Sequence, residues 1–401
     1  MRRWIYLIFA AAAMMFMGLV EGWSIFILPL EHKFPGWSLT QLSVTLSLTE
    51  LGFAAGGFIC AYLRKKYTPR MIMIFAAFMM FIGWFGLSHL DTTDPEMSII
   101  MLWILYGAVN GVAIGIGYMI SVSVISLWFQ ERQGFASGVL IMLYGLGSLI
   151  IGGAASAMMG RYGLFRTFAI IAICETLVLF ICSFAMIPPD KKAMEAKINP
   201  NASGDRLTPQ EMLRRPDFWI FFIWQVVIDS AGFLAINCAS PMAAAYGAPA
   251  VLGLTIALGN CASRFLMGVV FDRFGRKSVM LCSVVCMAAA AGVFIIGDSA
   301  KSLPLIIAGL IVTGLAYGGQ PCIASAFVNA QYGPDHFTIN LSLMYCTIIP
   351  AAFLGPLISA KLIENANGGY RSTFIMLAVI SAVAAVLLFG MEAYMKKGRS
   401  K

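Results

Sequence analysis

Charged residues are scarce in this chain. They make up 11% of its 401 residues, whereas soluble domains carry about 25%. Hydrophobic residues make up 60%, which is more than a water-soluble core of this size can bury. The composition therefore excludes an ordinary soluble domain and predicts a protein that lies in lipid.

Motifs for enzymatic chemistry are also lacking. We find no cluster with metal-ligand spacing, no nucleophile–base constellation and no phosphate-binding loop, so the sequence predicts neither an enzyme nor a metal or cofactor site. The nine cysteines all fall inside apolar segments and show no disulfide pattern, so we expect small buried hydrophobes. The three histidines, His32, His89 and His336, fall at predicted helix ends or in loops. Any transported proton would therefore need a carboxylate.

Long apolar runs fill most of the chain. A membrane-spanning helix needs about 20 mostly apolar residues, and we count twelve such runs. They cover approximately 4–30, 39–63, 70–89, 97–125, 134–159, 164–187, 217–244, 248–270, 278–297, 303–327, 337–363 and 370–393. The first run is too long for the apolar core of a signal peptide, so it is predicted to be retained. The predicted fold class is an all-α membrane protein with twelve transmembrane helices.

The distribution of basic residues predicts the orientation. If both termini are cytoplasmic, 20 of the 27 lysines and arginines lie on the cytoplasmic side and 6 lie outside. Arg264 is the one that remains, inside span eight. The net charge of +8 is then an orientation signal with affinity for anionic lipid, and it does not indicate nucleic acid. We expect a multi-pass monomer in the inner (plasma) membrane.

One long hydrophilic stretch, Pro188 to Trp219, divides the spans into two sets of six. It predicts an N-terminal bundle over 1–187, a cytoplasmic linker over 188–216 and a C-terminal bundle over 217–401. Within the linker, "TPQE" at Thr208–Glu211 has the pattern of a capping box with proline at the first helical position. A short surface helix is expected to follow it and to end before Pro216.

The two halves repeat each other weakly, and a loop of the second half carries a specific motif. "LFRTF" opens span six and "GYRSTF" opens span twelve. "GVVFDRFGRK" after span eight resembles the loop motif of the major facilitator superfamily. The resemblance implies two pseudo-symmetric six-helix bundles with a substrate site at their interface near the membrane midplane. It also implies a cytoplasmic latch, built from the positions Gly268, Asp272, Arg273, Gly275 and Arg276.

A carboxylate is favoured at a helix N-terminus, which agrees with the latch role of Asp272. The matching loop of the first half, "LRKKYTPR", has lysine where the aspartate would be, so a first-half latch is doubtful. The alternative for both loops is that they only anchor the orientation.

Three stretches resemble the oxalate/formate antiporter and monocarboxylate transporter branch of that superfamily. They are "WFQERQGFASG", "EMLRRPDFW" and the stretch from Arg264 to Arg276. The resemblance implies cavity-lining aromatic residues at the positions of Tyr118, Tyr317 and Tyr345. Packing between helices is the alternative for each of them.

Arg264 is the chemically unusual residue. It lies eight residues before Asp272, which is about 12 Å along a helix. A charge at that depth is costly and has to face protein or a water-filled cavity. Arginine keeps its proton and presents a fork that suits a carboxylate. We predict that Arg264 binds a substrate anion, with Asn260 beside it on the same helical face. The alternative is a permanent internal salt bridge.

Three acids lie deep in predicted spans: Glu21, Glu50 and Asp229. Each is a candidate for proton coupling, because an acid that loses Arg264 to a substrate anion is pushed towards protonation. Glu175 is a fourth buried acid, for which the sequence gives no account.

One position departs from the oxalate-specific relatives. They carry a lysine in span eleven where this chain has Ile348. A second substrate charge would have no partner there, so a monocarboxylate such as lactate, pyruvate or formate is expected rather than oxalate.

The sequence thus predicts a secondary active transporter for a small organic anion, by proton symport or anion exchange. The alternative is a proton-coupled multidrug or organic-cation antiporter, in which the acids bind the cation and Arg264 is only an internal counter-ion. A receptor on a transporter scaffold is less well supported, since the chain has no soluble signalling domain.

Overall fold

The twelve spans of the chain are helical. The structure is a computed structural model that describes residues 2–129, 133–189, 207–333 and 336–399. In these ranges twelve helical segments are long and apolar enough to cross a membrane. We number them spans one to twelve: Arg3–Gly22, Leu39–Leu63, Pro69–Leu87, Pro95–Ile125, Gly138–Tyr162, Leu164–Ser183, Pro216–Ala245, Ala250–Phe271, Arg273–Ser299, Leu303–Tyr332, Ile339–Asn365 and Arg371–Lys396. The predicted all-α fold with twelve transmembrane helices is confirmed.

Several spans are not continuous α-helices. The α-helices cover Arg2–Met17, Ser24–Lys33, Leu39–Leu63, Pro69–Leu87, Pro95–Leu102, Gly111–Trp128, Gln133–Tyr162, Leu164–Ser183, Pro209–Leu213, Pro216–Ala245, Ile256–Ser299, Leu303–Tyr317, Gln320–Tyr332, Phe337–Tyr345, Ile348–Asn365 and Arg371–Arg399. The range Ile256–Ser299 consists of two helices that meet at Gly275, where the backbone is not helical. A π-helix, Trp103–Asn110, interrupts span four, and 3₁₀ helices cover Gly18–Gly22 and Ala250–Thr255. Spans ten and eleven each lose the regular α-helical hydrogen-bond pattern for two residues, at Gly318–Gly319 and Cys346–Thr347, and we call these positions breaks. Gly318, Cys346 and Thr347 nevertheless keep right-handed helical backbone angles. The apolar runs alone predicted an unbroken helix for each of these spans.

The chain forms two compact units, Met1–Ile198 and Asn199–Lys401. Within the first unit, span one packs on span five, span two on span four and span three on span six. Within the second unit, span seven packs on span eleven, span eight on span ten and span nine on span twelve. The two units therefore repeat one packing pattern, as pseudo-symmetric six-helix bundles do. The predicted boundaries at 187 and 217 stay predictions, because residues 190–206 lie outside the described ranges.

Glycines bring span eight against span ten. A Cβ atom on Gly314 would lie 2.1 Å from the carbonyl oxygen of Ile256, and one on Gly259 would lie 1.8 Å from that of Ile311. Neither position has room for a side chain. Small residues permit such close backbone approach between membrane helices, where packing rather than the hydrophobic effect drives association.

The predicted capping box at the end of the linker is confirmed. The Glu211 amide donates to Thr208 Oγ1 at 3.4 Å, and the Thr208 amide donates to Glu211 Oε2 at 2.8 Å. The Thr208 hydroxyl also donates to Glu211 Oε2, at 2.8 Å. Because the amide and the hydroxyl of Thr208 both favour the charged carboxylate, the pKa of Glu211 is lowered. The short helix Pro209–Leu213 follows, as expected. The preceding Leu207 amide donates to the carbonyl of Tyr332 at 3.1 Å, which ties this segment to the end of span ten.

The expected burial of the cysteines is partly wrong. Cys60, Cys182, Cys238 and Cys261 are buried, four others are half-buried, and Cys174 is exposed. Cys174 lies beside Ile173, which is 50% exposed, on the side of span six that turns away from its neighbours. A helix that packs through one face necessarily presents its other face outward, and the cysteine lies there.

Candidate functional site

The Arg264 side chain lies inside the second unit and contacts its own helix. It is 4% exposed, and its Nε donates to Asn260 Oδ1 at 3.1 Å. The two residues are one turn apart, so their side chains share a helix face. The bond through Nε fixes the plane of the guanidinium, which is the requirement for a fork that recognises an anion.

Span ten packs against the Arg264–Asn260 pair at its break, Gly318–Gly319. A Cβ atom on Gly318 would lie 2.3 Å from Asn260 Oδ1, so the span-ten backbone contacts the amide directly. One turn away, Ser263 Oγ donates to the carbonyl oxygen of Leu315 at 2.6 Å. Cys322, just past the break, lies within electrostatic reach of Arg264. Irregular backbone at membrane depth occurs where it is buried in protein or lines a cavity.

Asp229 of span seven is held by two neutral donors. Its carboxyl is 2% exposed and accepts a hydrogen bond from Thr347 Oγ1 at 3.2 Å and another from the Gln225 side chain. Thr347 lies at the break of span eleven. Within the part of the chain that the structure describes, Asp229 therefore forms no ion pair with Arg264. Thr347 was missed by the sequence analysis, although a lone threonine before "IIP" in an apolar run was a usable signal.

Tyr317 and Tyr345 connect the interrupted spans to their neighbours. A Cβ atom on Gly232 would lie 2.2 Å from the Tyr317 ring, so this ring covers the span-seven backbone next to Phe233. The Tyr345 hydroxyl donates to the carbonyl oxygen of Pro321 at 3.2 Å. Spans seven, eight, ten and eleven are thus joined by the side chains that the sequence singled out.

Ile348, at the position of the missing lysine, packs against an apolar cluster. The cluster consists of Phe233, Ala351 and Ala352, which are at most 3% exposed. The side chain at this position is therefore part of the helix packing between spans seven and eleven.

The remaining candidates belong to the first unit. Tyr118 is 5% exposed and contacts the rings of Phe53 and Tyr144 edge-on, at centroid distances of 5.2 and 5.3 Å. Glu50 is 8% exposed, and Glu21 lies half-buried in the 3₁₀ helix Gly18–Gly22. Their roles stay predictions.

The loop motif after span eight forms a tight turn. The turn is made at Gly275, whose φ of 76° is the left-handed conformation that favours glycine. Arg273 is exposed, with its guanidinium 5.9 Å from the Phe274 ring centroid, and Gly268 is half-buried. Arg276 Nη2 donates to Glu392 Oε1 of span twelve, a partner that the sequence analysis missed. The side chain of Asp272 lies outside the described part, so its pairing stays a prediction.

A second polar cluster lies at the start of span seven, and the sequence did not predict it. Asp217, in the first turn of span seven, is 1% exposed and accepts from Arg215 Nε at 3.1 Å and from Gln331 Nε2 at 2.9 Å. It lies inside the quoted stretch "EMLRRPDFW", where only the resemblance was noted. The cluster fixes the start of span seven against the end of span ten.

Comparison with known proteins decides the family. Residues 5–258 and 225–401 match the model of the Major Facilitator Superfamily. The chain belongs to this superfamily. It is therefore a multi-pass membrane protein of a secondary transporter family, with the resemblance in the sequence analysis confirmed.

Relatives and solved structures support the same assignment. The chain is 24% identical to the oxalate:formate antiporter of Oxalobacter formigenes over 397 residues, which is 96% of this chain and 90% of that protein. It is 23% identical to the MFS-type transporter YhjX of Escherichia coli K12 over 350 residues, 86% and 84% of the two chains. The xylose transporter XylE of E. coli, in a partially occluded inward-open conformation, shares its fold, with a TM-score of 0.73 at 14% identity over 97% and 99% of the chains.

Proposed function

We propose that this chain carries a small monocarboxylate anion, such as formate, lactate or pyruvate, across the membrane by alternating access. Transport occurs by proton symport or by exchange for another anion. The chain acts as a monomer in the inner (plasma) membrane with both termini in the cytoplasm, as the distribution of lysine and arginine favours.

The observation that carries the proposal is the pre-oriented guanidinium of Arg264. A buried arginine keeps its charge and needs an anion. Asp229, the acid that the sequence offered as a candidate partner, accepts hydrogen bonds from Thr347 and Gln225. The breaks in spans ten and eleven lie next to Asn260 and Asp229. Irregular backbone at membrane depth is found where it is buried in protein or lines a cavity.

The position of Ile348 supports a single negative charge on the substrate. One guanidinium matches one carboxylate, and a second charge in a medium of low dielectric needs its own partner. Ile348 packs into an apolar cluster and supplies none. A relative with the printed name oxalate:formate antiporter supports the class of short carboxylates.

The acids that serve coupling are Asp229, Glu21 and Glu50. Asp229 is the best supported, because it is buried and lies at the break of span eleven. Tyr317, Tyr345 and Tyr118 supply apolar rings with hydroxyl donors for the rest of the substrate.

Thermal unfolding in the presence of candidate ligands tests the proposal. A ligand that binds the native state raises the melting temperature according to its occupancy. The purified chain is heated with formate, lactate, pyruvate, oxalate and tetraphenylphosphonium. Stabilisation by a monocarboxylate, and its loss in Arg264→Lys, supports the proposal. Stabilisation by the organic cation alone, retained in Arg264→Lys, would instead identify an organic-cation carrier.

A further inference from the structure

Glu175 of span six is an acid to which the proposed transport site gives no role. Its side chain is 2% exposed, and its Oε2 has no hydrogen-bond partner among the described residues. The Trp84 indole of span three donates a hydrogen bond to the same carboxyl. A polar atom that is buried without a partner costs free energy, so its retention calls for a function.

The Tyr106 hydroxyl is a second unsatisfied group next to Glu175. Tyr106 is fully buried, its hydroxyl has no partner within the described residues, and it lies within electrostatic reach of both Glu175 and Glu50. Its ring centroid is 5.0 Å from that of Trp84 and 4.6 Å from that of Trp23. Spans three, four and six therefore meet at one small polar group inside an aromatic wall.

The backbone that carries Tyr106 is unusual. Tyr106 belongs to the π-helix Trp103–Asn110, and π-helices occur frequently at functional sites. Asn110 ends this helix, is fully buried, and has neither amide atom hydrogen-bonded among the described residues. A Cβ atom on Gly83 would lie 2.1 Å from Asn110 Oδ1, so the amide lies against span three beside Trp84.

Glu175 has no counter-ion among the residues that the structure describes. None of the described lysines and arginines forms an ion pair with it. Arg166 lies nine residues earlier on the same helix, which is about 13 Å along the axis, and Arg70 lies over the ring of Phe184. The other titratable and charged side chains of the elements packed on span six are Arg3, Tyr6, Glu21, Tyr144, Arg161 and Tyr162, together with Glu31, His32 and Lys33 of the helix Ser24–Lys33, which contacts span six through Phe26. A buried carboxylate without a cation is costly, whereas a carboxyl that holds its proton is tolerated.

We propose that Glu175 and Tyr106 form a proton-binding site inside the first unit, separate from the transport site at Arg264. The carboxyl of Glu175 holds the proton. When the proton leaves to solvent, the Tyr106 hydroxyl and the Trp84 indole both donate to the carboxylate. Gain and loss of this proton accompany the transport cycle. The rings of Trp23, Trp84 and Tyr106 fill the surroundings, which suits the smallest ligand, a proton.

An infrared pH titration of the full chain in lipid tests proton binding without any substrate. The carbonyl stretch of a protonated carboxylic acid is compared between the wild type and Glu175→Gln. We expect a band at neutral pH that declines at higher pH and is absent from Glu175→Gln. Glu96→Gln, at an exposed glutamate of the same unit, keeps the band.

Tyr106→Phe removes a donor that stabilises the charged form of Glu175. We therefore expect the carbonyl band of Glu175 in this variant to persist to higher pH than in the wild type. No loss of the band in Glu175→Gln, or an unchanged midpoint in Tyr106→Phe, would overturn the site.

The pH profile of formate counterflow in proteoliposomes tests the link to transport. Glu175→Gln mimics the protonated carboxyl, so we expect its exchange rate to lose the pH dependence of the wild type. A wild-type profile in this variant would overturn the link. If the wild type moves no formate at any pH, the proposed substrate is wrong, while the infrared titration still decides the proton site.

Discussion

Arg264 Nε donates to Asn260 Oδ1 at 3.1 Å, one helical turn away on the same face of span eight. The amide oxygen is a neutral acceptor, so this hydrogen bond orients the guanidinium and leaves its charge unchanged. The account of this protein as an anion carrier depends on that orientation.

Replacing Asn260 by aspartate puts a carboxylate where the amide oxygen lies. The internal carboxylate then competes with the substrate for Arg264. A hydrogen bond to a charged group contributes about 1.5–3 kcal/mol, so ligand affinity is expected to fall roughly tenfold to a hundredfold. The ligand-dependent rise in melting temperature measures this loss. Undiminished stabilisation by formate or lactate in Asn260→Asp would contradict the role of Arg264.

Replacing Ile348 by lysine adds a second cation in span eleven. A dianion then finds a partner for each of its charges, so the ratio of oxalate to formate uptake is expected to rise about tenfold, the effect of roughly 1.4 kcal/mol. Ile348→Met keeps the apolar packing against Phe233 and is the matched control. An equal ratio in the lysine and methionine variants would show that position 348 does not select substrate charge.

Asp229→Asn keeps the shape of the side chain but cannot carry a proton. If Asp229 couples protons to transport, the variant retains exchange of external for internal formate and loses accumulation driven by an inward proton gradient. Radiolabelled formate in proteoliposomes measures both activities. Accumulation at the wild-type level would exclude Asp229 and leave Glu21 and Glu50 as the coupling candidates.

Gly314→Ala tests the close contact of spans eight and ten. The new methyl group would lie 2.1 Å from the Ile256 carbonyl oxygen, a backbone atom that cannot move alone. Overpacking of this kind costs about 1–3 kcal/mol, which lowers the melting temperature. Gly292→Ala is the control, since nothing lies within 4 Å of its Cβ position. If both variants melt at the wild-type temperature, the contact is looser than described.

Features set by local geometry were predictable from the sequence. The spans follow from the length of the apolar runs, because lipid requires about 20 apolar residues in a helix. The Arg264–Asn260 contact and the Thr208–Glu211 capping box follow from helix spacing, in which residues three or four apart are neighbours. Each of these features depends on a few consecutive residues.

Features set by packing between distant segments were not predictable. Arg276 contacts Glu392, which is 116 residues away, and Asp229 contacts Thr347, which is 118 residues away. The breaks in spans ten and eleven are different, because each is followed within three residues by a proline, Pro321 or Pro350. Proline removes an amide donor and clashes with the turn before it, so this signal was present in the sequence and was missed. The exposed Cys174 depends on which face of span six packs. These contacts and packed faces depend on how distant helices are arranged, and the apolar pattern of a single sequence does not reveal that arrangement.

Counterflow of labelled formate and lactate through Arg264→Lys, in proteoliposomes, tests the central claim most directly. Lysine keeps the charge but has no planar fork, so it does not replace arginine at a site for bidentate carboxylate recognition. Arg161→Lys, at an exposed arginine near the end of span five, is the control for the same substitution. We predict that Arg264→Lys loses most of the transport while it folds and melts normally, and that Arg161→Lys retains it. Transport at the wild-type rate in Arg264→Lys would contradict the account.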